Sequence, residues 1–405
     1  MPPAASEVIE AVYRADWGRI VATLIRLVGD FDIAEDAAQE AFTAAVDQWP
    51  TAGVPELPRA WIIQTARHKA LDRLRRRERF EEPLASYDAV EPDKTVDSDI
   101  PDDQLRLIFT CCHPALALEA QVALTLRTLS GLETEDIARA FLVPAATMAQ
   151  RLVRAKRKIR EAGIPYEVPS ASDMPGRMDA VLTVIYLVFN EGYAAMRADL
   201  CAEAIRLGRL MTTLLAPASP AEATALLALM LLHDSRRDAR LDDSGDLVVL
   251  EEQDRSRWDR RQIAEALPLV EDALRAGPGP FALQAAIAAL HCQSARAEDT
   301  DWPQIVRLYD VLEHLQPSPI VSLNRAVAVA MVEGSHRGLA LIEEVAAAGD
   351  LDDYHLLHAA RGDLLRRAGS LDEAAQCYDR ALTLATNDSE RRFLQRRLRE
   401  VRPAL

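Results

Sequence analysis

The chain has 405 residues and a formal net charge of −16 at pH 7; 49% of its residues are hydrophobic but only 5% are aromatic. This length allows two to four domains, and a composition rich in Ala and Leu favours helices packed on helices. No apolar stretch reaches the ~18 residues of a membrane span, and the first residues lack the basic start and apolar core of a signal peptide. We therefore expect a soluble, cytosolic, all-α protein without a membrane partner. The net negative charge does not exclude nucleic acid, because a local basic face can act while acids elsewhere maintain solubility.

The first two predicted helices cover residues 7–28 and 33–49, where apolar residues recur at helical spacing. Asp32 is placed to cap the second helix. That helix carries polar residues on one side, Asp36, Gln39 and Glu40 among them, and small apolar residues on the other. A loop rich in Pro and Gly, Pro50–Pro58, follows and leads into a third helix.

The third predicted helix, Arg59–Phe80, holds eight Lys or Arg against two acids. At about 100° per residue, a helix places four of its apolar residues on one stripe that should face a core. These residues are Ile63, Ala66, Ala70 and Leu74. Trp61 lies on the other side, among the polar residues Gln64, Thr65, His68, Asp72 and Arg75.

An exposed indole beside cations can stack on an unpaired base, which contributes about 1–3 kcal/mol per base. The basic residues at the end of this helix can hold phosphates. They are Arg73, Arg75, Arg76, Arg77 and Arg79. The alternative is a solvated basic face, with Trp61 covered by a neighbouring loop.

Residues 82–103 are acidic, contain proline and have almost no core residues, so they read as a linker between the first domain, 1–81, and a second helical domain, 104–165. Within the second domain Cys111 and Cys112 precede His113. A metal site needs two more ligands at suitable spacing and none is near, so we expect two thiols that pack inward and no metal or other cofactor.

A helix-turn-helix pattern covers residues 131–161. Thr134 can cap a first helix that runs to Phe141, and Pro144 suits the first position of a second. The second helix should turn an apolar stripe inward, namely Met148, Leu152, Ala155 and Ile159. Its outward residues are Thr147, Gln150, Arg151, Arg154, Arg157 and Lys158. In such motifs the early residues of the second helix reach base edges and later cations bind phosphate. The alternative is an ordinary helical hairpin.

The rest of the chain divides into a helical extension, 166–280, and a repeat region, 281–405. Asp243-Ser244-Gly245 signals a turn within a short predicted hairpin. Gly334 and Gly369 lie 35 residues apart between pairs of predicted helices, close to the spacing of tetratricopeptide repeats. His233 and Asp234 are interpreted as a helix end that pairs with nearby arginines, and no catalytic motif of a known enzyme class is found.

Residues 7–165 together resemble the extracytoplasmic-function group of bacterial sigma factors. The stretch DIAEDAAQEAFTAAVDQW is similar to the region 2 helix that docks on the RNA polymerase clamp, and PRAWIIQTARHKALDRLRRRERF to the helix that melts the −10 element. GLETEDIARAFLVPAATMAQRLVRAKRKIR is similar to region 4, which reads the −35 element. The remainder resembles the subgroup with a C-terminal helical extension of tetratricopeptide-like repeats.

The resemblance implies a role for each matched position and two partners, core RNA polymerase and promoter DNA. Trp61 would be the wedge at the upstream edge of the melted DNA, and Gln64, Thr65 and His68 would line the path of an extruded base. Asp36, Gln39 and Glu40 would contact the polymerase clamp. The linker acids Glu91, Asp93, Asp97 and Asp99 would either mimic nucleic acid in a polymerase channel or form a merely solvated linker.

Two other functions stay open at this point. One is a DNA-binding regulator with a repeat sensor that never joins polymerase. The other is a repeat scaffold that binds peptides, with incidental basic helices. In the sigma-factor hypothesis the extension, alone or through a regulatory protein or ligand, regulates or supports the first two domains.

Overall fold

A computed structural model of the protein describes residues 5–80, 100–141, 143–215, 220–385 and 387–402, and only the backbone of residues 76–80 and 100–102. Within these ranges the regular structure is helical, with one isolated β-bridge, so the predicted all-α class is confirmed. The described part of the chain contains no helix with the length and apolar character that a membrane crossing requires. The linker acids from Glu91 to Asp99 lie outside the described residues.

The chain forms two compact units, residues 1–204 and 205–405. The helices of the first unit are α1 (Ala5–Val28), α2 (Phe31–Ala52), α3 (Pro58–Phe80), α4 (Ile100–Cys111), α5 (Leu118–Leu124), α6 (Thr134–Ala140), α7 (Ala145–Glu161) and α8 (Met174–Ala194), and α9 (Ala198–Leu214) crosses the boundary. A π-helical turn, Thr125–Leu129, directly follows α5. Helix α8 packs against α4 and α5 within this unit.

Helices α1, α2 and α3 pack on one another around an aromatic cluster. Trp17 is 1% exposed, and its ring lies 4.9 Å from that of Tyr13 and 6.1 Å from that of Phe42. Asp30, not Asp32, caps α2, because its carboxylate accepts from the first free amides of that helix. The prediction of Asp32 as the cap was wrong by two residues.

Helices α6 and α7 form the predicted helix-turn-helix, with different caps. Thr134 is the first residue of α6 and makes no capping bond there, since Glu133 occupies the cap position. Pro144 precedes α7 and is its N-cap residue, so Ala145 is the first helical residue. Both predictions placed a helix start one residue away from where it lies. The turn residue Leu142 is outside the described residues.

Helix α4 begins at Ile100, inside the segment predicted as linker. Asp103 is fully buried, and its carboxylate bonds Arg26 of α1 at 2.8 Å and Arg106 at 3.1 Å. The hydroxyl of Tyr166 reaches the carbonyl oxygens of Ala22, at 2.8 Å, and of Asp103, at 3.1 Å. These polar contacts hold α4 and the segment after α7 against α1.

In the second unit the helices are α10 (Ala221–Asp234), α11 (Arg260–Ala276), α12 (Pro280–Gln293), α13 (Trp302–Leu315), α14 (Pro319–Glu333), α15 (Ser335–Ala347), α16 (His355–Ala368), α17 (Leu371–Leu384) and α18 (Asp388–Val401). The predicted hairpin is a turn closed by one bridge, Leu241 to Leu247, rather than two strands. An isolated two-stranded ribbon is marginal in water.

From α12 onward each helix packs on the next one along the chain. Gly334 and Gly369 separate α14 from α15 and α16 from α17, with φ of 95° and 85°. Backbone of this kind favours glycine, which lacks a Cβ atom. Gly362 lets the ring of Tyr378 approach α16 closely. The two turns confirm the helix–turn–helix pairs that the glycine spacing indicated.

Gly18 tests the close packing of α1 against the last residue of the π-helical turn, Leu129. A Cβ atom there would lie 2.6 Å from the carbonyl oxygen of Leu129, which is backbone and cannot rotate away. We expect Gly18→Ala to destabilise the protein by about 1–3 kcal/mol, because overpacking forces the backbone to shift. Urea denaturation, with hydrogen exchange to localise the loss to α1, measures the effect.

Gly176 of α8 is the matched control, because a Cβ atom there would meet nothing within 4 Å. Gly176→Ala should leave stability unchanged or raise it by up to about 1 kcal/mol, since alanine favours helix. Equal effects of the two substitutions would contradict the close approach at Gly18.

Candidate nucleic-acid interface

Helix α3 buries the stripe that its sequence predicted. Ile63, Ala66 and Ala70 are at most 6% exposed and Leu74 is half-buried. Ile62, outside that stripe, is also fully buried. The opposite side carries exposed Gln64 and His68, with Thr65 half-buried between them. The polar surface assigned to base contacts is therefore open to a partner.

Trp61 is half-buried rather than freely exposed. Its ring lies edge-on against that of Trp49, with centroids 5.5 Å apart and planes at 69°. Trp49, near the end of α2, is 3% exposed. One part of the Trp61 ring is thus held by a neighbouring indole while another part reaches solvent. Helical periodicity does not reveal this pair, because residues 49 and 61 belong to different helices.

Arg73 bonds the carboxylates of Asp36 and Glu40 on α2, one turn apart. Lys69 lies 3.4 Å from Glu40. Partial burial raises the pKa of Glu40, but the bonds and charge of Arg73 and Lys69 outweigh it and lower that pKa. The cation assigned to DNA and the two acids assigned to polymerase therefore neutralise each other and lie on one continuous surface rather than on two separate ones.

The other predicted residues of this surface differ in their surroundings. Gln39 is half-buried on α2, beside Glu40. Arg75 is exposed, and its guanidinium lies 3.7 Å from Asp72 on the same helix. The side chain of Arg76 lies outside the described residues. Three apolar residues around the α2–α3 loop are exposed, namely Val46, Val54 and Leu57, the last by 70%.

Helix α7 has the two faces that its sequence predicted. Its inward residues Met148, Leu152, Ala155 and Ile159 are all at most 7% exposed. Its outward residues are exposed apart from Arg151, which is half-buried; they are Thr147, Gln150, Arg154, Arg157 and Lys158. Arg157 lies 3.6 Å from Glu161, an exposed pair on the helix surface. Such pairs are worth little, so these cations can turn to phosphate.

Lys156 departs from this pattern and connects α7 to α2. Its ammonium group lies 2.8 Å from Asp32 and 3.0 Å from Glu35. Glu35 is only 5% exposed and also accepts a bond of 2.9 Å from the hydroxyl of Thr128, while Arg127 lies 3.8 Å away. Burial lowers the pKa of Lys156, but the charges of Glu35 and Asp32 raise it further, so the ammonium stays charged.

The contact of α7 with α2 is polar and incompletely filled. Arg160 lies 3.8 Å from Asp30, the N-cap of α2. A cavity of about 260 Å³ lies beside these groups, with Lys156, Arg160, Tyr166 and Ile25 among its lining residues. Polar contacts of this kind resemble transient interfaces more than a domain core.

Other side chains singled out from the sequence are accounted for by structural contacts. Burial raises the pKa of both adjacent thiols, that of Cys112 to about 12, so the predicted inward packing of Cys111 and Cys112 is confirmed. Arg236 contacts His233 at 2.7 Å, and Arg237 bonds Asp234, as predicted. In the described part of the chain no cluster of three potential metal ligands occurs.

Family models of known proteins match three parts of the chain. The family model for sigma-70 region 2 matches residues 12–80, and that for sigma-70 region 4 matches residues 106–159. Residues 177–274 match a family of unknown function, DUF6596. The helices that carry the two candidate DNA-binding faces, α3 and α7, thus fall within regions 2 and 4.

Two relatives cover different shares of the chain. "Uncharacterized protein R00370" of Rhizobium meliloti is 47% identical over 390 residues, which is 93% of this chain and 91% of that protein. "Probable ECF RNA polymerase sigma factor SigI" of Mycobacterium tuberculosis is 31% identical over 173 residues, 40% of this chain and 58% of that protein. The chain is of the sigma-70 class, with regions 2 and 4 in order. It belongs to the extracytoplasmic-function sigma-factor family, in a form with a C-terminal extension.

Glu35 provides a test of the contact between regions 2 and 4. We expect Glu35→Gln to lower the free energy of unfolding by about 1–3 kcal/mol, because a charge-assisted bond to Lys156 is lost in a buried position. Hydrogen exchange should become faster in α7 as well as in α2. Urea denaturation and exchange measured by mass spectrometry check both expectations.

The control is Glu161→Gln, which removes an exposed partner of Arg157 at the C-terminal end of α7. It should change stability by less than about 0.5 kcal/mol. If the two variants are equally stable, the Glu35 cluster contributes nothing to the contact between the regions.

Proposed function

We propose that the chain acts as a sigma factor in the cytoplasm, where it binds core RNA polymerase, recognises −35 and −10 promoter elements and melts DNA to start transcription. One observation carries the proposal. Two helices far apart in sequence, α3 and α7, each bury one stripe and leave a polar or basic face open, and these helices fall in regions 2 and 4. Polymerase would perform the chemistry, so the chain itself needs no catalytic site.

In this proposal the chain hydrolyses no nucleotide. The free energy for melting must therefore come from binding the unpaired bases. Stacking an extruded base on an aromatic ring contributes about 1–3 kcal/mol. Trp61 suits this role because Trp49 holds one side of its ring while Gln64 and His68 are exposed on the same helix. A ring that is already fixed loses little freedom when a base stacks on it.

Phosphate binding by Arg73 requires that it leave or share Asp36 and Glu40. These groups are substantially exposed, and exposed ion pairs contribute at most about 1 kcal/mol each. Replacing these two carboxylates with DNA phosphates around Arg73 therefore costs little free energy compared with the total free energy of the DNA interface. The same exchange would release Asp36 and Glu40 for the polymerase clamp.

Regions 2 and 4 must also separate for both elements to be read at once. Elements centred near −35 and −10 are about 25 base pairs apart, roughly 85 Å of B-form DNA. A compact unit of about 200 residues has a diameter of only roughly 43 Å. The proposal therefore requires that the Glu35–Lys156 contact open when polymerase binds, and the polar character of that contact supports such opening.

The C-terminal extension is proposed to regulate or support initiation, with helix pairs that act as tetratricopeptide-like repeats. Its helices from α12 to α18 pack in series, and such arrays offer extended binding surfaces. A DNA-binding regulator that never joins polymerase is the competing function. Association with core polymerase decides between the two.

Transcription with purified core polymerase on fragmented genomic DNA tests the function on many promoters at once. We expect the full chain to start transcripts at defined sites, with permanganate-reactive bases near −10. Trp61→Ala should retain the closed complex but reduce melting by about tenfold, because a stacking platform is lost. Absence of any defined start site, or of binding to core polymerase, would refute the sigma-factor proposal.

Trp61→Phe is the matched control for this experiment. Phenylalanine keeps an aromatic face, so melting should recover most of the wild-type level. Equal loss of closed complexes and melting in Trp61→Ala would instead indicate a structural role for the ring beside Trp49.

Gln150 and Arg154 are proposed to read bases of the −35 element. Each side chain is exposed on α7, and each correct contact contributes about 1–3 kcal/mol of discrimination. Ala substitutions should relax base preference at one or two positions and leave binding to core polymerase unchanged. Selection of start sites from randomised −35 sequences measures the preference.

Lys158→Ala is the control for base reading, because a phosphate contact contributes affinity on every sequence alike. It should weaken promoter binding without changing the selected sequence. If Gln150→Ala and Arg154→Ala leave the selected sequence unchanged, these residues do not read bases.

A further inference from the structure

A cavity of about 380 Å³ lies within the second unit, between the segment after the β-bridge and the helices α12, α13, α14, α16, α17 and α18. Aromatic rings form much of its wall, from Trp302, Tyr309, Tyr378 and Phe393. Its volume is in the range of small-molecule sites, which are mostly apolar with a few fixed polar groups. The cavity belongs to neither of the DNA-facing helices.

Arg255 is the polar group that distinguishes this cavity. It is only 8% exposed, and its guanidinium lies over the ring of Trp258, 4.7 Å from the centroid. Its Nη1 donates to the carbonyl oxygens of His291, at 2.6 Å, and Ser294, at 2.7 Å. Both carbonyls lie at the C-terminal end of α12, so the position of Arg255 is fixed by backbone.

The remaining edge of this guanidinium has no acceptor among the residues that the structure describes. A guanidinium carries five N–H donors, and the described residues provide acceptors only for Nη1. The Nε and Nη2 edge is therefore available to a ligand, and it is a fork that matches two oxygens of a carboxylate or phosphate. Arg255 lines the cavity, and its burial lowers its pKa.

The charge of Arg255 is not neutralised by a nearby acid. Within the described residues no carboxylate oxygen lies within the 4 Å of an ion pair with it, and Asp299, which acts on it from farther away, bonds Arg296 instead. The other arginines of the cavity differ: Arg367 bonds Glu251, and Arg397 bonds Glu252. A buried charge without a partner is destabilising, and an anionic ligand would remove that penalty.

His291 completes the polar end of the cavity. Its ring lies 5.2 Å from that of Trp302, edge to face. Burial, with Arg236 and Arg255 nearby, lowers its pKa to about 4, so the imidazole is neutral at pH 7. A neutral imidazole can donate one bond to a ligand without adding charge. Besides the ion pairs of Arg367 with Glu251 and Asp363, the site thus offers one cation without a carboxylate partner among the described residues, one neutral donor and an aromatic wall.

We infer that this cavity binds a small organic anion, with a carboxylate or phosphate on the available edge of Arg255 and an apolar body of aromatic-ring size against Trp302 and Phe393. The inference goes beyond the proposed sigma-factor function. The ligand would join the segment around Arg255 to the helix array and stabilise the second unit by mass action.

Calorimetric titration of the full chain tests the site with three probes: phenylacetate, phenyl phosphate and the uncharged phenylacetamide. At least one anion should bind at millimolar concentration or below, and phenylacetamide should bind at least about tenfold more weakly. The two anions separate a carboxylate site from a phosphate site. Absence of binding by both anions, or equal binding of phenylacetamide, would overturn the inference.

Two variants localise the binding to the cavity. Arg255→Lys keeps the charge but loses the fork, so the affinity for the anion should fall by about tenfold or more. Val327→Trp fills the cavity from a half-buried wall position and should abolish binding even if Arg255→Lys fails to fold. Arg275→Lys, an exposed arginine of α11 outside the cavity, is the matched control and should bind like the wild type.

If wild-type affinity survives in both Arg255→Lys and Val327→Trp, the anion does not bind in this cavity. The titration involves neither polymerase nor DNA. Its failure therefore leaves the sigma-factor proposal intact, and failure of the transcription experiment leaves the binding result intact.

Discussion

The carboxylate of Glu35 is the constraint on which the first unit depends. A carboxylate that is 5% exposed must have compensating donors, and all of those that the structure describes come from the region 4 side, namely Thr128, Lys156 and Arg127. Region 2 therefore buries an acid whose partners lie more than ninety residues along the chain. The contact is specific because the buried carboxylate needs these donors to offset the loss of water. It is reversible because water can replace each of the hydrogen bonds once the two regions separate. An apolar seam would hold the regions together more permanently.

Helix α2 supplies counter-charge for both candidate DNA-binding helices of an acidic chain. Its residues Asp36 and Glu40 neutralise Arg73 of α3, and Asp32 and Glu35 neutralise Lys156 of α7. On the proposed function, the carboxylates beside Arg73 take the place that phosphates would take in a DNA complex. The chain has a net charge of −16, yet it contains two basic helices. In the folded chain, acids of α2 form ion pairs with some of the cations of these helices. On the proposed function, displacement of these internal acids offsets part of the electrostatic free energy of DNA binding.

Helical periodicity predicted which residues each helix buries. It could not predict contacts with residues that are distant in the sequence. The stripe from Met148 to Ile159 was predicted because burial repeats every 3.6 residues. The bond of Lys156 to Glu35 could not be predicted in this way, because Glu35 lies 121 residues earlier in the chain. Trp61 was assigned to a side of α3 correctly, but its cover, Trp49, is on another helix. The start residues of α2, α6 and α7 were misplaced by one or two positions, since several neighbouring residues could each serve as the cap.

The free energy needed to separate regions 2 and 4 can be compared with the free energy that a binding partner provides. Moving a two-state equilibrium from 1:99 to 99:1 takes about 5.5 kcal/mol of differential binding. A few buried polar bonds at about 1–3 kcal/mol each place the Glu35 cluster in that range. A nanomolar partner provides about 12 kcal/mol in total, so binding to polymerase can open the contact and still leave a stable complex. On the proposed function, the opening of this contact is therefore assigned to a partner as large as polymerase.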